Sequence, residues 1–133
     1  MQQIDCILLV DDDEITNFVN ESLINDLAAA QEVLVTTSGQ QALNVIKQRS
    51  RSNSCLPSLI LLDMNMPGMN GLEFLQAYER LEESLRQSVI IVMLTSSNNP
   101  TDVAKIERSN LADMLNKPLT EVKLKHILKK YFS

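Results

Sequence analysis

Ser58-Leu59-Ile60-Leu61-Leu62-Asp63 is a run of four aliphatic residues closed by a carboxylate. It is too short for a typical helix and does not alternate apolar with polar, so it reads as a strand covered on both faces. Two further runs have the same character: ILLV within Cys6–Val10 and VIIVML within Ser88–Thr95. Glu32–Thr37 is a fourth strand by its Val and Thr content, and Ala112–Asn116, which holds Asp113 and Met114, is a fifth and weaker one. Strands hidden on both faces belong to a parallel sheet sandwiched between helices.

Helical spacing fills the gaps. Ile15, Phe18, Val19, Leu23 and Leu27 recur at three- and four-residue intervals through Ala30, and Ala42, Leu43 and Ile46 follow the Ser38-Gly39 turn. Leu72, Leu75 and Tyr78 mark a third helix, Val103 and Ile106 a weaker fourth, and Val122, Leu124, Ile127, Leu128 and Tyr131 the last, with Thr120 as its N-cap. The polar stretch from Gln48 to Ser58 reads as a surface loop. The strand starts at 6, 32, 58, 88 and 112 lie 26, 26, 30 and 24 residues apart, the rhythm of successive βα units with right-handed crossovers. The expected fold is α/β: a doubly wound (βα)5 domain with a five-stranded parallel sheet, one domain over residues 1–133.

Composition narrows the function classes. With 44% hydrophobic and 22% charged residues the chain can build one buried core without staples. A net charge of −5 argues against a grip on nucleic acid through phosphate neutralisation. Cys6 and Cys55 have no CxxC spacing and there is a single histidine, His126, so a Cys/His zinc site is disfavoured. No apolar stretch approaches the roughly 20 residues that cross a bilayer, and Met1-Gln2-Gln3 lacks a basic leader. A cytoplasmic protein with no membrane or nucleic-acid partner is expected.

In an open parallel sheet, ligands bind beyond the carboxyl ends of the strands. Those ends carry Asp11-Asp12-Asp13, then Asp63, then Thr95-Ser96-Ser97, with Lys117-Pro118 after the fifth strand. Converging carboxylates repel one another, and a hard divalent cation such as Mg2+ relieves that repulsion while keeping sites for phosphate oxygens. Carboxylates, Mg2+, an ammonium and a hydroxyl are the parts that position a phosphoryl group, and an aspartate can itself accept it. Asp13 reads equally well as an N-cap of the first helix. Met64, Met66 and Met69 surround Asp63 and read as packing, because a thioether is a soft ligand in a hard site. Lys123, Lys125, Lys129 and Lys130 read as a solvated face of the last helix, and Asp5, Asp26 and His126 as ordinary surface.

Val10-Asp11-Asp12, then Leu61-Leu62-Asp63-Met64-Asn65-Met66-Pro67-Gly68-Met69-Asn70-Gly71, then Leu94-Thr95-Ser96 and Lys117-Pro118 together resemble the receiver domain of two-component response regulators, a flavodoxin-like (CheY-like) fold. The resemblance covers nearly the whole chain. It implies that Asp63 is the phosphoryl acceptor, supplied by a histidine kinase or a histidine phosphotransfer protein. It further implies Mg2+ held by Asp11, Asp12, Asp63 and the backbone carbonyl of Asn65, with Thr95 hydrogen-bonding the phosphoryl group, Lys117 ion-pairing with it and a cis bond before Pro118. Glu14, Asn65 and Ser97 occupy positions lining the approach to the phosphate. Where many receivers carry an aromatic switch residue, this chain has Met114, so the shift of Thr95 would couple to a flexible thioether. The expected protein is a stand-alone receiver, monomer or weak homodimer, signalling to a downstream protein target. Two alternatives share these residues: a pseudo-receiver that binds without being phosphorylated, and a small haloacid-dehalogenase-like phosphatase using Asp11-x-Asp13, Thr95 and Lys117. The second lacks the late acidic pair that such phosphatases need, since only Glu121 follows Lys117.

Overall fold

The computed structural model describes residues 3–86, 89–96, 100–101, 104–105 and 113–132. Along these run β1 (Ile4–Val10), α1 (Glu14–Asp26), β2 (Ala30–Thr36), α2 (Gly39–Arg51), β3 (Leu59–Asp63), α3 (Gly71–Glu79), a single 3-10 turn (Glu83–Leu85), β4 (Ile90–Thr95), β5 (Asp113–Asn116) and α4 (Glu121–Phe132). The Val103/Ile106 helix pattern, the strand ends at Ser88 and Ala112, and Ser97 lie outside the described residues.

The five strands form one parallel sheet in the order β2-β1-β3-β4-β5, the doubly wound arrangement expected. Its two faces explain why the strands read as unbroken apolar runs. Leu8, Val10, Ile60, Leu62 and Met93 pack with Ala42, Leu43 and Ile46 of α2 and Phe74, Leu75 and Tyr78 of α3. The alternate residues Ile7, Leu9, Leu59, Leu61 and Val92 point the other way, against Ile24 of α1 and Leu124, Ile127 and Leu128 of α4. Each such aliphatic side chain removed from water contributes about 1.5–3 kcal/mol, so the sheet carries two cores back to back.

Three local expectations fail for identifiable reasons. Helix α1 stops at Asp26 instead of reaching Ala30, and β2 starts at Ala30 instead of Glu32. Ala28 takes a left-handed φ of 49° and donates to Asn25 O, while Ala29 donates to Ile24 O. That is a Schellman cap built on alanine, where glycine is usual, and no sequence rule flags it. In α2 the helix runs on to Arg51 through part of the expected loop, ended by the same cap with Asn53 at φ 57°. Arg49 secures that last turn by donating to Cys55 O and pairing with Glu32.

The third failure concerns which face of α1 is buried. Ile15, Phe18 and Val19 are 75%, 69% and 53% exposed, while Asn17, Asn20 and Ile24 face the sheet. The Asn17 amide donates to Asp11 O at 2.8 Å and to Thr36 O at 3.2 Å, bridging the ends of β1 and β2. These hydrogen bonds set the start of the helix so that Ile15, Phe18 and Val19 look outward while Ile24 further along stays buried.

At the other end of the chain, Thr120 caps α4 as expected, accepting from Lys123 N. Lys123 is more than a solvated charge: its Nζ donates to Asn116 O and Pro118 O, tying the helix to the loop after β5. Asp113 at the start of β5 accepts from Lys130 at 3.1 Å and from the Tyr131 hydroxyl at 3.2 Å. Partial burial opposes ionisation of Asp113, but the Met114 N–H, Lys130 and Tyr131 outweigh it and hold the carboxyl below the ordinary 3.8. A depressed folded pKa adds stability above the unfolded value that is lost as pH falls through the folded one. Asp113→Asn is therefore expected to lower the unfolding temperature modestly at pH 7, with the gap from wild type closing below pH 3.8. Thermal unfolding of both proteins across that range checks it, and a gap independent of pH would refute the electrostatic account.

Candidate functional site

Because all five strands run the same way, their carboxyl ends share one edge, and the polar residues found there in sequence meet in space. Asp11 follows β1, Asp63 ends β3, Thr95 ends β4 and Lys117 follows β5. Asp11 and Asp63 are buried and Asp12 is exposed, yet one carboxylate oxygen from each lies within 4.8 Å of the others. Lys117 Nζ reaches into the cluster, 2.9 Å from Asp11 Oδ2 and 3.0 Å from Asp63 Oδ1.

Backbone groups hold the cluster in place. Asp13 N donates to Asp11 Oδ1 at 2.9 Å and Asn65 N to Asp63 Oδ1 at 3.4 Å. Lys117 N donates to Thr95 O at 2.9 Å, fastening the loop after β5 to β4, and the Lys117–Pro118 bond is cis, as the family resemblance implied. Burial pushes the Asp63 carboxyl above its ordinary range, and the Asp11 charge adds to this, while the hydrogen bond from Lys117 opposes it. Burial acts against the charge on Lys117, but its hydrogen bonds to Asp11 and Asp63 outweigh that and raise its pKa. Two buried carboxylates with a single ammonium leave a surplus of negative charge, which suits a further hard cation.

The remaining expected residues divide. Thr95 is fully buried and its Oγ1 donates to Met64 Sδ at 3.6 Å, so Met64 is both packing and a soft partner for that hydroxyl. Met66 is buried and Met69 packs against the α2/α3 core, as expected of packing residues. Met114 is half-buried against the same core. Asp13 stands apart: it is the N-cap of α1, accepting from Ile15 N at 3.0 Å and from the Thr16 hydroxyl at 2.9 Å, and those bonds lower its pKa. With Asp13 committed to the helix, the Asp11-x-Asp13 pairing of a haloacid-dehalogenase-like phosphatase loses its second carboxylate.

Gly71 is a site residue that spacing alone did not single out. A Cβ there would stand 2.8 Å from Asp63 O and 2.9 Å from Met64 Cα, while Gly71 N donates to Met64 O at 2.8 Å. The first turn of α3 thus presses directly on the backbone that carries Asp63. Asn70 and Glu73 close that turn with a reciprocal capping box.

A sequence model of the family described as "Response regulator receiver domain" matches residues 7–129. The chain belongs to the response regulator receiver family. Members of this family are signalling phosphoacceptors and in general not enzymes. The receiver is 35% identical to "Two-component response regulator 24" of Arabidopsis thaliana, over 92% of its own length and 81% of that protein. It is 29% identical to "Sensor protein GacS" of Pseudomonas syringae pv. syringae, of which it spans only 13%. Among solved structures, a two component response regulator from Cytophaga hutchinsonii superposes with a TM-score of 0.87 at 34% identity, covering 98% of both chains. The receiver domain of the sensor histidine kinase PA1611 from Pseudomonas aeruginosa PAO1 superposes at 0.78 with 25% identity, over 96% of this receiver and 97% of that chain; it has a magnesium ion coordinated in its active site cleft. The family binds Mg2+ in its acidic site, and in this receiver Asp11, Asp12 and Asp63 form an acidic cluster. No helix among the described residues is long and apolar enough to cross a membrane.

Gly71→Ala drives a Cβ into backbone atoms that cannot step aside, and overpacking of this kind costs about 1–3 kcal/mol. The expected result is a lower unfolding temperature together with weakened Mg2+ binding, because Asp63 moves with Met64. Calorimetry and a Mg2+ titration read both, and metal binding at wild-type strength would refute the coupling.

Proposed function

We propose that Asp63 accepts a phosphoryl group from a histidine kinase or a histidine phosphotransfer protein in a Mg2+-dependent step, and that the change switches a contact with a downstream protein. The observation that carries this reading is the convergence of buried Asp63, Asp11, exposed Asp12 and Lys117 at the carboxyl edge of the sheet. An Asp63 carboxylate oxygen attacks phosphorus, a P–O bond forms, the P–N bond to the donor imidazole breaks, and the imidazole leaves with its electron pair. Asp11, Asp12, Asp63 and the Asn65 carbonyl would hold Mg2+, which supplies charge neutralisation at the phosphoryl oxygens when bound.

The chain's own groups do the rest. Asp11 keeps one oxygen on the Asp13 N–H and the other on Lys117, so it is oriented before any donor arrives. Lys117 is placed to exchange its contact with Asp63 for one with a phosphoryl oxygen. The Thr95 hydroxyl, which donates to the weak sulfur acceptor of Met64, would turn toward the new group. Met114, partly buried against the core on one face of the sheet, would relay that movement to the surface. Autophosphorylation from small donors and loss of the phosphoryl group by hydrolysis belong to the same site. Residues 1–133 act in this reading as one receiver with no output domain among them, as a monomer or weak homodimer. Cytoplasmic location belongs with this reading.

The outward apolar face of α1 supports a protein donor. Ile15, Phe18 and Val19 stand beside the acidic cluster and expose large apolar surface that folding alone does not require.

Incubation with Mg2+ and acetyl phosphate, followed by intact mass, is expected to show one labile phosphoryl adduct, absent with EDTA and absent in Asp63→Asn. An adduct that persists in that variant would assign the acceptor elsewhere; no adduct under any condition would favour a pseudo-receiver. Phe18→Ala is expected to slow transfer from a phosphorylated histidine phosphotransfer protein by about tenfold, the size of one anchor contact. Its rate with acetyl phosphate should stay at the wild-type value, and equal slowing with both donors would argue against docking through α1.

A further inference from the structure

Helices α2 and α3 each feed back toward the amino ends of the strands, so their C-termini lie at the edge of the sheet remote from Asp63. Between them is a cleft of about 420 Å³. Lys47 and Arg51 of α2 and Arg80 after α3 line it, and Leu81 and Leu85 give it an apolar wall, Leu85 being buried. Ser50 adds a hydroxyl, and Glu82 contributes a single carboxylate. Among the described residues, none of the three cationic side chains has an ion-pair or hydrogen-bond partner.

The arginines just outside the cleft are different. Arg49 is held by Glu32 and Cys55 O, and Arg86 by Glu79 at 3.4 Å and Leu81 O at 3.0 Å. In a chain of net charge −5, leaving three cations unpaired around one cavity while pairing both neighbours is a local concentration of positive charge. Helix C-termini attract cations, but only about half a negative charge resides at each end. At α2 the last carbonyls are already taken, by Ser52 N on Gln48 O, Asn53 N on Ser50 O and Ser54 N on Arg49 O. Three cations less Glu82 leave a formal +2, more than two such helix ends neutralise.

We propose that this cleft binds a small organic phosphate of nucleotide size, its phosphate groups among Lys47, Arg51 and Arg80 and its apolar or aromatic body against Leu81 and Leu85. Guanidinium forks suit phosphate oxygens, and two arginines with a lysine can serve a di- or triphosphate. The volume lies in the range of small-molecule sites, about 300–1,000 Å³, which favours a compact ligand over a polypeptide. The proposal is independent of the chemistry at Asp63.

The test is an amide chemical-shift titration of the full chain with ADP in EDTA, which keeps the nucleotide from bridging a metal to the acidic cluster. Shifts confined to the ends of α2 and α3, saturating below millimolar ADP, are expected. Arg51→Glu with Arg80→Glu should weaken binding by roughly tenfold or more, in line with the loss of charge-assisted hydrogen bonds. Both side chains are exposed and unpaired, so the variant is expected to unfold at the wild-type temperature, and that measurement accompanies the titration. Inorganic phosphate should bind more weakly than ADP at equal ionic strength, since it has no body to place on the leucines. The proposal is overturned if ADP leaves these amides unmoved up to several millimolar, if the double variant binds as tightly as wild type, or if inorganic phosphate matches ADP. An acidic peptide that moves the same amides where ADP does not would overturn it in favour of a protein partner.

Discussion

Two carboxylates, Asp11 and Asp63, are buried next to each other, and a single ammonium, Lys117, stands between them at hydrogen-bond distance from both. Buried like charges are tolerable only with a cation among them. Nearly every feature of the carboxyl edge of the sheet serves that requirement. The loop after β5 must bring Lys117 across from the far strand, and it does so by hydrogen-bonding its backbone to Thr95 and by anchoring α4 through Lys123. The edge is therefore under electrostatic tension that one ammonium only partly relieves and that a further cation would ease.

That tension needs a rigid frame, and the frame lies in the backbone more than in side chains. Gly71 lets the start of α3 press against the carbonyl of Asp63, and its N–H closes on Met64 O. Asn17 reaches from α1 to the carbonyls of Asp11 and Thr36, joining the ends of β1 and β2. The carboxyl edge is thus braced from both sides of the sheet, α3 against the Asp63–Met64 backbone and α1 at the ends of β1 and β2. Both supports are hydrogen bonds to main-chain oxygen and contribute to placement more than to hydrophobic stability.

Much of this was legible in the amino-acid sequence, for a physical reason. A strand covered on both faces must be apolar at every position, so β1, β3 and β4 declare themselves, and parallel strands must end on one edge, so Asp11, Asp63, Thr95 and Lys117 meet. What stayed hidden depended on backbone states or on polar packing. The break at Ala28 uses an alanine where a glycine would have been the signal, and the extension of α2 to Arg51 rests on a side chain that folds back onto Cys55 and Glu32. The role of Gly71 appears only when a Cβ is placed among its neighbours.

The inverted face of α1 is the most informative of these failures. Hydrophobic spacing identified the helix correctly, yet Phe18 and Ile15 face outward and Asn17 faces the sheet. A helix whose only task was to cover β1 and β2 would gain by exchanging those roles, since burying Phe18 contributes more than burying an amide. The arrangement observed forgoes that gain beside the acidic cluster, where Asn17 steadies the Asp11 backbone and the apolar residues lie open. Departures from local consistency tend to concentrate where a protein meets something else. At this edge the same helix turn that orients the carboxylates also presents an uncovered apolar surface, so positioning of the site and exposure of that surface arise from one set of hydrogen bonds.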